Sequence, residues 1–150
     1  MKNTEAMLEA LIEAQKAFDN NEVPVGCVII KDGEIIARAH NQKENHQQAC
    51  SHAEILAIKQ ANTKLNNWRL NDCTLVVTLE PCMMCAGAIQ QSRISNVVFG
   101  LSDEKFGAYG GCFDSNIIKG FNHYPYITSG ILSEQSQHLL QSFFQLKRKK

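Results

Sequence analysis

Four residues of this 150-residue chain have the types and the spacing that could perform chemistry. Cys82 and Cys85 form a C-x-x-C pair directly after Pro81, and His52 and Glu54 form an H-x-E pair earlier in the chain. A C-x-x-C pair alone is compatible with a redox disulfide, one corner of a structural zinc site, or part of a catalytic metal site. The elements around the pair must distinguish these possibilities.

Hydrophobic periodicity predicts the first elements of the chain. An amphipathic helix is expected over residues 4–20, because apolar residues recur there at helical spacing. A β-hairpin should follow, with strands over 25–30 and 35–39, since Asp32-Gly33 between them is a strong signal for a tight turn. A polar loop over 40–50 then connects the hairpin to the next helix.

The second half of the chain alternates helices and strands. A helix should start behind Ser51, which is placed to cap it. The other predicted elements are a strand over 74–79, a helix over 83–91, a strand over 97–99, a Gly-rich loop over 100–111, a weak strand at 126–127 and a helix from about Ser133. This order predicts an α/β fold in which helices cover a mixed sheet.

Two helix starts can bring the four residues together. Pro81 suits the first position of a helix, so Cys82 and Cys85 should lie on one face of its first turns, with His52 at the matching start of the preceding helix. Three such ligands suit zinc and leave one coordination position open for water. Glu54 is then placed to act as a general base, because zinc brings the pKa of bound water to about 7. The pattern therefore predicts hydrolytic chemistry.

Composition sets further limits. An apolar content of 44% and a charged content of 20% are typical of a globular protein, and we expect one domain over residues 1–150 that needs no metal merely to fold. The N-terminal stretch lacks the unbroken apolar core of a signal peptide, because Glu5, Glu9 and Glu13 interrupt it. No apolar run is long enough to span a membrane, so we expect a cytoplasmic protein without membrane association. Six cysteines in that compartment are expected to be thiols or metal ligands.

The charge distribution argues against a general nucleic-acid binder. The chain has fifteen basic and fifteen acidic residues, but four of the basic ones form the C-terminal tail Lys147, Arg148, Lys149 and Lys150. The rest of the chain therefore carries eleven basic residues against fifteen acidic ones. Any nucleic acid must be held locally, either by this tail or by the walls of a site.

Taken together, H-x-E and P-C-x-x-C form the signature of the zinc nucleobase deaminases. Within that group the chain resembles the bacterial tRNA adenosine deaminase family over nearly its whole length. The stretches that carry this resemblance are Glu22-Val23-Pro24-Val25-Gly26, Asn41, His52-Ala53-Glu54, Asn67-Trp68-Arg69-Leu70, residues 78–89, Ser92-Arg93-Ile94, Val97-Val98-Phe99-Gly100 and Asp103-x-Lys105-x-Gly107-Ala108.

The resemblance implies a fold and a substrate. The fold would be the three-layer α/β/α plan of the cytidine deaminases, with a central mixed sheet of five strands. Family members work as homodimers and convert the wobble adenosine of a tRNA anticodon to inosine. One zinc ion per subunit, with a catalytic water, is the cofactor that this family implies.

The resemblance also implies roles for individual residues. His52, Cys82 and Cys85 would bind the zinc ion, and Glu54 would carry a proton from water to the purine and then to the leaving amine. The extruded base would hydrogen-bond to Asn41 and to the backbone of Ala53, and Asp103 would lie near its ribose. The anticodon loop suits this chemistry because an unpaired base can be extruded into a pocket.

Two segments depart from the family pattern, and both flank the expected entrance for substrate. Residues 44–51 lack the Asp-Pro-Thr run that commonly precedes the H-A-E motif, and Phe106 replaces a residue that is usually small and polar. A second hypothesis is therefore a deaminase of a free base or nucleotide, such as guanine or cytosine, that uses the same zinc site. A structural zinc site completed by Cys50 or Cys73 is a third hypothesis, and a thioredoxin-like redox pair is a fourth.

Overall fold

The fold has three layers, with helices on both faces of a five-stranded sheet. The structure, a computed structural model, describes residues 1–148, so Lys149 and Lys150 of the basic tail lie outside the described residues. The elements are α1 (Asn3–Asp19), β1 (Gly26–Lys31), β2 (Glu34–His40), α2 (Lys43–His46), α3 (Ala53–Leu65), β3 (Cys73–Leu79), α4 (Met83–Gln91), β4 (Asn96–Leu101), a 3-10 helix (Ser115–Ile117), β5 (Tyr126–Thr128) and α5 (Ser133–Arg148). The α/β plan expected from the sequence is confirmed.

The sheet is mixed and has the strand order β2-β1-β3-β4-β5. The hairpin strands β1 and β2 are antiparallel, and β1 also runs antiparallel to β3. From β3 onward the strands are parallel, β3 with β4 and β4 with β5. Each parallel pair requires a crossover connection, and α4 provides the crossover between β3 and β4.

Strand residues alternate between two hydrophobic cores. On β3, Leu75 and Val77 point to the core beneath α3 and α4, whereas Val76 points to the core beneath α1. Strands β1 and β4 follow the same alternation. Because successive side chains of a strand face opposite sides, this period of two buries both faces of the sheet.

Short-range turn chemistry fixes the hairpin. Asp32 and Gly33 adopt φ values of 51° and 78°, and two residues at positive φ match the right-handed twist of the flanking strands. The structure also contains a short helix, α2, inside the loop that the sequence indicated as irregular. Among residues 1–148, no helix is both long enough and apolar enough to cross a bilayer.

A buried carboxylate connects α1 to the hairpin. Glu13 is 3% exposed and accepts hydrogen bonds from Lys16 Nζ at 2.7 Å and Arg38 Nε at 2.9 Å, and its other oxygen lies 3.4 Å from His40 Nδ1. Burial alone would raise the pKa of Glu13, but the hydrogen bonds from these three cationic or titratable groups lower it overall. The ion pairs therefore hold α1 against β2.

Close packing of α1 on β1 predicts a strong effect of one substitution. A Cβ atom at Gly26 would lie 2.0 Å from the carbonyl oxygen of Ala10 and 2.4 Å from the backbone nitrogen of Ala14. Gly26→Ala should therefore lower the free energy of unfolding by about 3 kcal/mol or more, because the backbone of α1 must move away. Thermal or urea unfolding measures this change.

The matched control is Gly87→Ala in α4. A Cβ atom there meets no heavy atom within 4 Å, so the variant should be more stable than the wild type by roughly 0.5–1 kcal/mol. Equal stability of the two variants would contradict the close approach of α1 at Gly26.

Candidate active site

Three possible metal ligands meet where α3 and α4 begin. His52 is the N-cap residue of α3, Cys82 is the N-cap residue of α4, and Cys85 lies in the first turn of α4. The Nδ1 atom of His52 lies 3.7 Å from Cys82 Sγ and 3.5 Å from Cys85 Sγ, and the ligand atoms of all three residues lie within 4.8 Å of one another. The structure thus brings together residues from two separate helix starts.

These distances fit a tetrahedral zinc ion. Zinc bonds of about 2.3 Å to sulfur and about 2.0–2.1 Å to nitrogen, at a tetrahedral angle, separate the two atoms by about 3.6 Å. The observed nitrogen–sulfur distances of 3.7 and 3.5 Å lie on either side of that value. One imidazole and two thiols are also a donor set that suits zinc.

The group of possible ligands does not extend to other cysteines. Within residues 1–148, neither Cys50 nor Cys73 joins the three residues above. Cys50 is exposed, and Cys73 begins β3, whereas the metal group follows the other end of that strand. A zinc ion held by these three residues would have a fourth position free, as in catalytic zinc sites, whereas structural zinc sites have four protein ligands.

Two details of the helix starts differ from the sequence-based expectation. Ser51 does not cap α3, because His52 holds the N-cap position and the Ser51 hydroxyl pairs instead with His46 Nδ1 at 2.9 Å. Pro81 is not the first residue of α4 but precedes its N-cap residue Cys82.

The chain stays extended at Pro81 because the Gly-rich loop pairs with it. The Pro81 carbonyl accepts a hydrogen bond from Ala108 N at 2.9 Å, and Cys82 forms a β-bridge with Gly107. These contacts are long-range in sequence, so local helix signals could not indicate them.

Glu54 lies next to the metal group and is 4% exposed. Burial raises the pKa of its carboxyl to about 7, although the positive charge of a protonated His52 would oppose this rise. A carboxyl group with a pKa near neutrality can take up and release a proton under physiological conditions.

The two thiols behave differently in the metal-free protein. The pKa of Cys82 is lowered to about 4. The hydrogen bond from Cys85 contributes most to this lowering, the neighbouring imidazole of His52 adds to it, and burial opposes it. The same hydrogen bond, together with burial, raises the pKa of Cys85 well above its ordinary value. The site therefore holds one thiolate at neutral pH before any metal binds, and that thiolate raises the pKa of His52.

A cavity of about 400 Å³ opens over these residues. It is lined by Val23, Val25, Asn41, Lys43, His52, Ala53, Glu54, Leu79, Glu80, Cys82, Asp103 and Phe106. The volume lies within the range of small-molecule and nucleoside pockets, and most of its surface is apolar with a few converging polar groups.

The structure places all three predicted substrate-binding residues at this cavity. Asn41 follows β2, where its Nδ2 donates to Val23 O and its Oδ1 accepts from Lys43 N, each at 3.3 Å. Ala53 is the first residue of α3. The Oδ1 atom of Asp103 accepts hydrogen bonds from Lys105 N at 3.0 Å and Phe106 N at 3.1 Å.

Two buried glutamates organise the walls of the cavity, and the sequence interpretation missed both. Glu80 is 3% exposed and accepts hydrogen bonds from the backbone amides of Asp103, Tyr109 and Gly111. Glu22 is 1% exposed and accepts from the amides of Glu44 at 3.0 Å and Asn45 at 2.7 Å, in the loop that follows Asn41. Both lie inside stretches that carry the family resemblance, which was the available signal.

A histidine and two cysteines with a buried glutamate beside them, carried by two helix starts on a mixed sheet, define a class of protein. That class is the deaminases of the cytidine-deaminase-like fold. The chain matches the MafB19-like deaminase family over residues 1–148. It is 48% identical over 144 residues to the tRNA-specific adenosine deaminase of Bacillus subtilis, with 96% of this chain and 89% of that protein covered.

A second relative and a solved structure agree with this match. The tRNA-specific adenosine deaminase of Streptococcus pyogenes serotype M18 is 44% identical over 149 residues, with 99% of this chain and 94% of that protein covered. A structure from a study of A-to-I editing by tRNA:A34 deaminases at the wobble position of transfer RNA superposes with a TM-score of 0.86. The two sequences are 37% identical, and the superposition covers 91% of this chain and 99% of the other chain. The chain therefore belongs to the MafB19-like deaminase family, and its relatives place it with the tRNA-specific adenosine deaminases.

The pKa of Cys82 predicts an unusual alkylation profile. In chelator-treated protein, Cys82 should react with iodoacetamide at a nearly constant rate between pH 5.5 and 7.5, because a thiol with a pKa of about 4 is ionised throughout. An ordinary thiol with a pKa of about 8.5 would react about 100 times faster at the upper pH. Mass spectrometry of the Cys82 peptide measures the rate.

Zinc provides the control for this experiment. Added zinc should slow the alkylation of Cys82, and Cys85→Ala should remove that protection because one of the three ligands is lost. A Cys82 rate that rises tenfold per pH unit, or that zinc does not change, would contradict the geometry of this site.

Proposed function

We propose that this protein hydrolyses adenosine to inosine at the wobble position of a tRNA anticodon. The observation that carries the proposal is the buried carboxyl of Glu54, which shares one cavity with the metal-ligand group of His52, Cys82 and Cys85. The relatives from Bacillus subtilis and Streptococcus pyogenes are both named tRNA-specific adenosine deaminases, and they support tRNA as the substrate.

His52, Cys82 and Cys85 would hold one zinc ion in each subunit. When bound, zinc acts as a Lewis acid that lowers the pKa of a water molecule to about 7. Nδ1 of His52 is the nitrogen that faces both sulfur atoms, which assigns it as the ligand atom of the imidazole. The thiolate already present at Cys82 favours metal uptake, because metal ligands must be deprotonated.

Glu54 would carry the proton that the reaction moves. Deamination forms a bond between C6 of adenine and the oxygen of water, breaks the bond between C6 and the exocyclic nitrogen, and releases ammonia. Glu54 takes a proton from the attacking water and delivers it to N1 of the purine. It then takes the second proton from the hydroxyl group now bonded to C6 and delivers it to the departing amine, as the C6 carbonyl forms. In the metal-free protein, burial raises the pKa of this carboxyl to about 7, and the positive charge of a bound zinc ion would oppose that rise.

Other residues of the cavity would orient the extruded base. Asn41, Ala53 and Asp103 all line the cavity. The carboxamide of Asn41 and the backbone of Ala53 would hydrogen-bond the purine, and Asp103 would approach the ribose. The apolar side chains of Val23, Val25 and Leu79 line the same cavity and would exclude water from the planar base.

We further propose that residues 1–150 act as a single zinc-dependent deaminase domain, that two copies form a homodimer, and that the enzyme works in the cytoplasm with its tRNA substrate. Support for the dimer comes from the family resemblance and from large apolar side chains that one copy leaves exposed. They include Trp68, Met83, Ile117, Ile118, Phe121 and Tyr124.

The substrate is tested by following inosine formation in an anticodon stem-loop that carries ACG. Free guanine, free cytosine and free adenosine are assayed beside it with the same zinc-loaded enzyme. We expect inosine at the wobble position and no turnover of the free compounds. Deamination of a free base with the RNA unchanged would instead assign the protein to the second hypothesis, a free-base or nucleotide deaminase.

Glu54→Ala is the control variant for this assay. It should reduce inosine formation by at least about 10³-fold, since a positioned general acid–base commonly contributes 10²–10⁴-fold. Its zinc content and melting temperature should remain those of the wild type, because Glu54 is not a ligand. An active Glu54→Ala protein would contradict the role assigned to this residue.

The dimer is tested by sedimentation equilibrium of the zinc-loaded protein. We expect a mass of two chains, each of 16.8 kDa, at micromolar concentration. A single-chain mass over the whole concentration range of the assay would show that the enzyme works as a monomer.

A further inference from the structure

One wall of the cavity is a loop that Glu80 holds from the inside. Oε1 of Glu80 accepts the amide of Asp103 at 2.9 Å, and Oε2 accepts the amides of Tyr109 at 2.8 Å and Gly111 at 2.9 Å. A Cβ atom at Gly107 would lie 2.3 Å from Cδ of Glu80, so the backbone closes tightly around this carboxylate. The loop over 103–111 therefore has a fixed position relative to the metal group.

Asp103 then turns the chain so that Phe106 reaches the rim of the cavity. Its Oδ1 accepts the amides of Lys105 and Phe106, which closes a tight turn directly after Asp103. Phe106 lines the cavity, yet 60% of its surface is exposed. A large aromatic side chain is thus presented to solvent on a rigid support, beside the group that performs the chemistry.

A positive charge accompanies this ring. Lys105 Nζ lies 5.3 Å from the centroid of the Phe106 ring, and Lys43 lines the same cavity. An exposed ring with one ammonium group over it, and a second lysine in the lining of the cavity, matches the chemistry of single-stranded RNA. In such RNA, bases stack on aromatic side chains and phosphates pair with cations. A free nucleobase that enters the cavity would not need this second platform.

We propose that Phe106 is a stacking platform for the unpaired nucleobase next to the target adenosine, and that Lys105 faces the phosphate that joins the two nucleotides. The inference rests on the proposed function and deepens it, because it adds a second base to the recognised substrate. Glu80 acts as the positioning residue that keeps Phe106 in place.

The test combines Phe106→Leu with changes in the RNA. The kcat and KM for inosine formation are measured on the ACG stem-loop and on two derivatives that have an abasic site on the 5′ or the 3′ side of the target. Loss of one stacking contact corresponds to about 5- to 150-fold weaker binding. Phe106→Leu should raise KM by that factor on the intact RNA and change kcat by less than about threefold.

Coupling between the side chain and the base gives the decisive result. One of the two abasic RNAs should raise KM of the wild-type enzyme by a similar factor but should cause no further rise with Phe106→Leu. Tyr126→Leu is the matched control, because Tyr126 is 80% exposed on β5 and pairs with the start of β4, away from the cavity. It should retain the wild-type response to both abasic RNAs.

Glu80→Gln tests the support of the platform. Glutamine has a single acceptor oxygen, so it can serve either the amide of Asp103 or the pair at Tyr109 and Gly111, but not both. The variant should keep its zinc and lose most of the coupling between Phe106 and the flanking base. Glu13→Gln, which removes a buried carboxylate in α1, should be less stable than the wild type but should keep that coupling.

The outcomes separate this inference from the proposed function. Inosine formation by the wild type, with additive effects of Phe106→Leu and both abasic sites, would overturn the stacking role and leave the tRNA reaction standing. Full coupling between Phe106 and the flanking base in Glu80→Gln would overturn the positioning role of Glu80. If Glu80→Gln does not fold, Gly107→Ala repeats the test, because its methyl group crowds the same carboxylate. Failure of the wild type to deaminate the RNA would overturn the proposed function and this subsite together.

Discussion

The site depends on the use of two helix N-cap positions for metal ligands. His52 and Cys82 both have the extended backbone of an N-cap residue, and neither side chain makes a capping hydrogen bond. Replacement of a good cap commonly costs about 1 kcal/mol for each helix. The same geometry brings both side chains to one point, and the positive end of α4 favours the thiolate form of Cys82. The two helices thus lack side-chain capping hydrogen bonds at their starts, and the same two positions supply preorganised metal ligands.

Burial of Glu54 places a proton-transfer group with a raised pKa beside these metal ligands. An exposed carboxyl has a pKa near 4 and releases a proton too readily to carry it at neutral pH. The core under α3 removes water from Glu54 and raises its pKa to about 7, while His52, two residues earlier, provides the opposing positive charge. Packing of α3 therefore raises the proton affinity of Glu54, and the residues that build the core also tune the site.

The sequence predicted the parts of the fold that arise from local patterns. The apolar runs of β1 and β3, the Asp32-Gly33 turn and the helices at the two motifs all depend on neighbouring residues, and the structure confirms these elements. The prediction that Ser51 caps α3 was wrong because its hydroxyl pairs with His46 instead. The prediction that Pro81 begins α4 was wrong because Ala108, which is distant in sequence, pairs with Pro81 and keeps it extended. The roles of Glu22 and Glu80 were missed for a related reason. A buried carboxylate that accepts backbone amides leaves no periodic trace, since amides are present at every residue except proline.

These two carboxylates explain how recognition loops can vary while the chemistry stays constant. Glu22 holds the wall that follows Asn41, and Glu80 holds the wall that carries Asp103, and both act through backbone amides that any residue except proline can supply. Side chains that face the cavity or the solvent, such as Phe106, can therefore change without loss of the wall. Outside the C-terminal tail this protein has more acidic than basic residues, so its overall charge gives no long-range attraction to phosphate. Binding of RNA therefore needs such rigid local contacts. Recognition must then come from a few positioned groups around one extruded base.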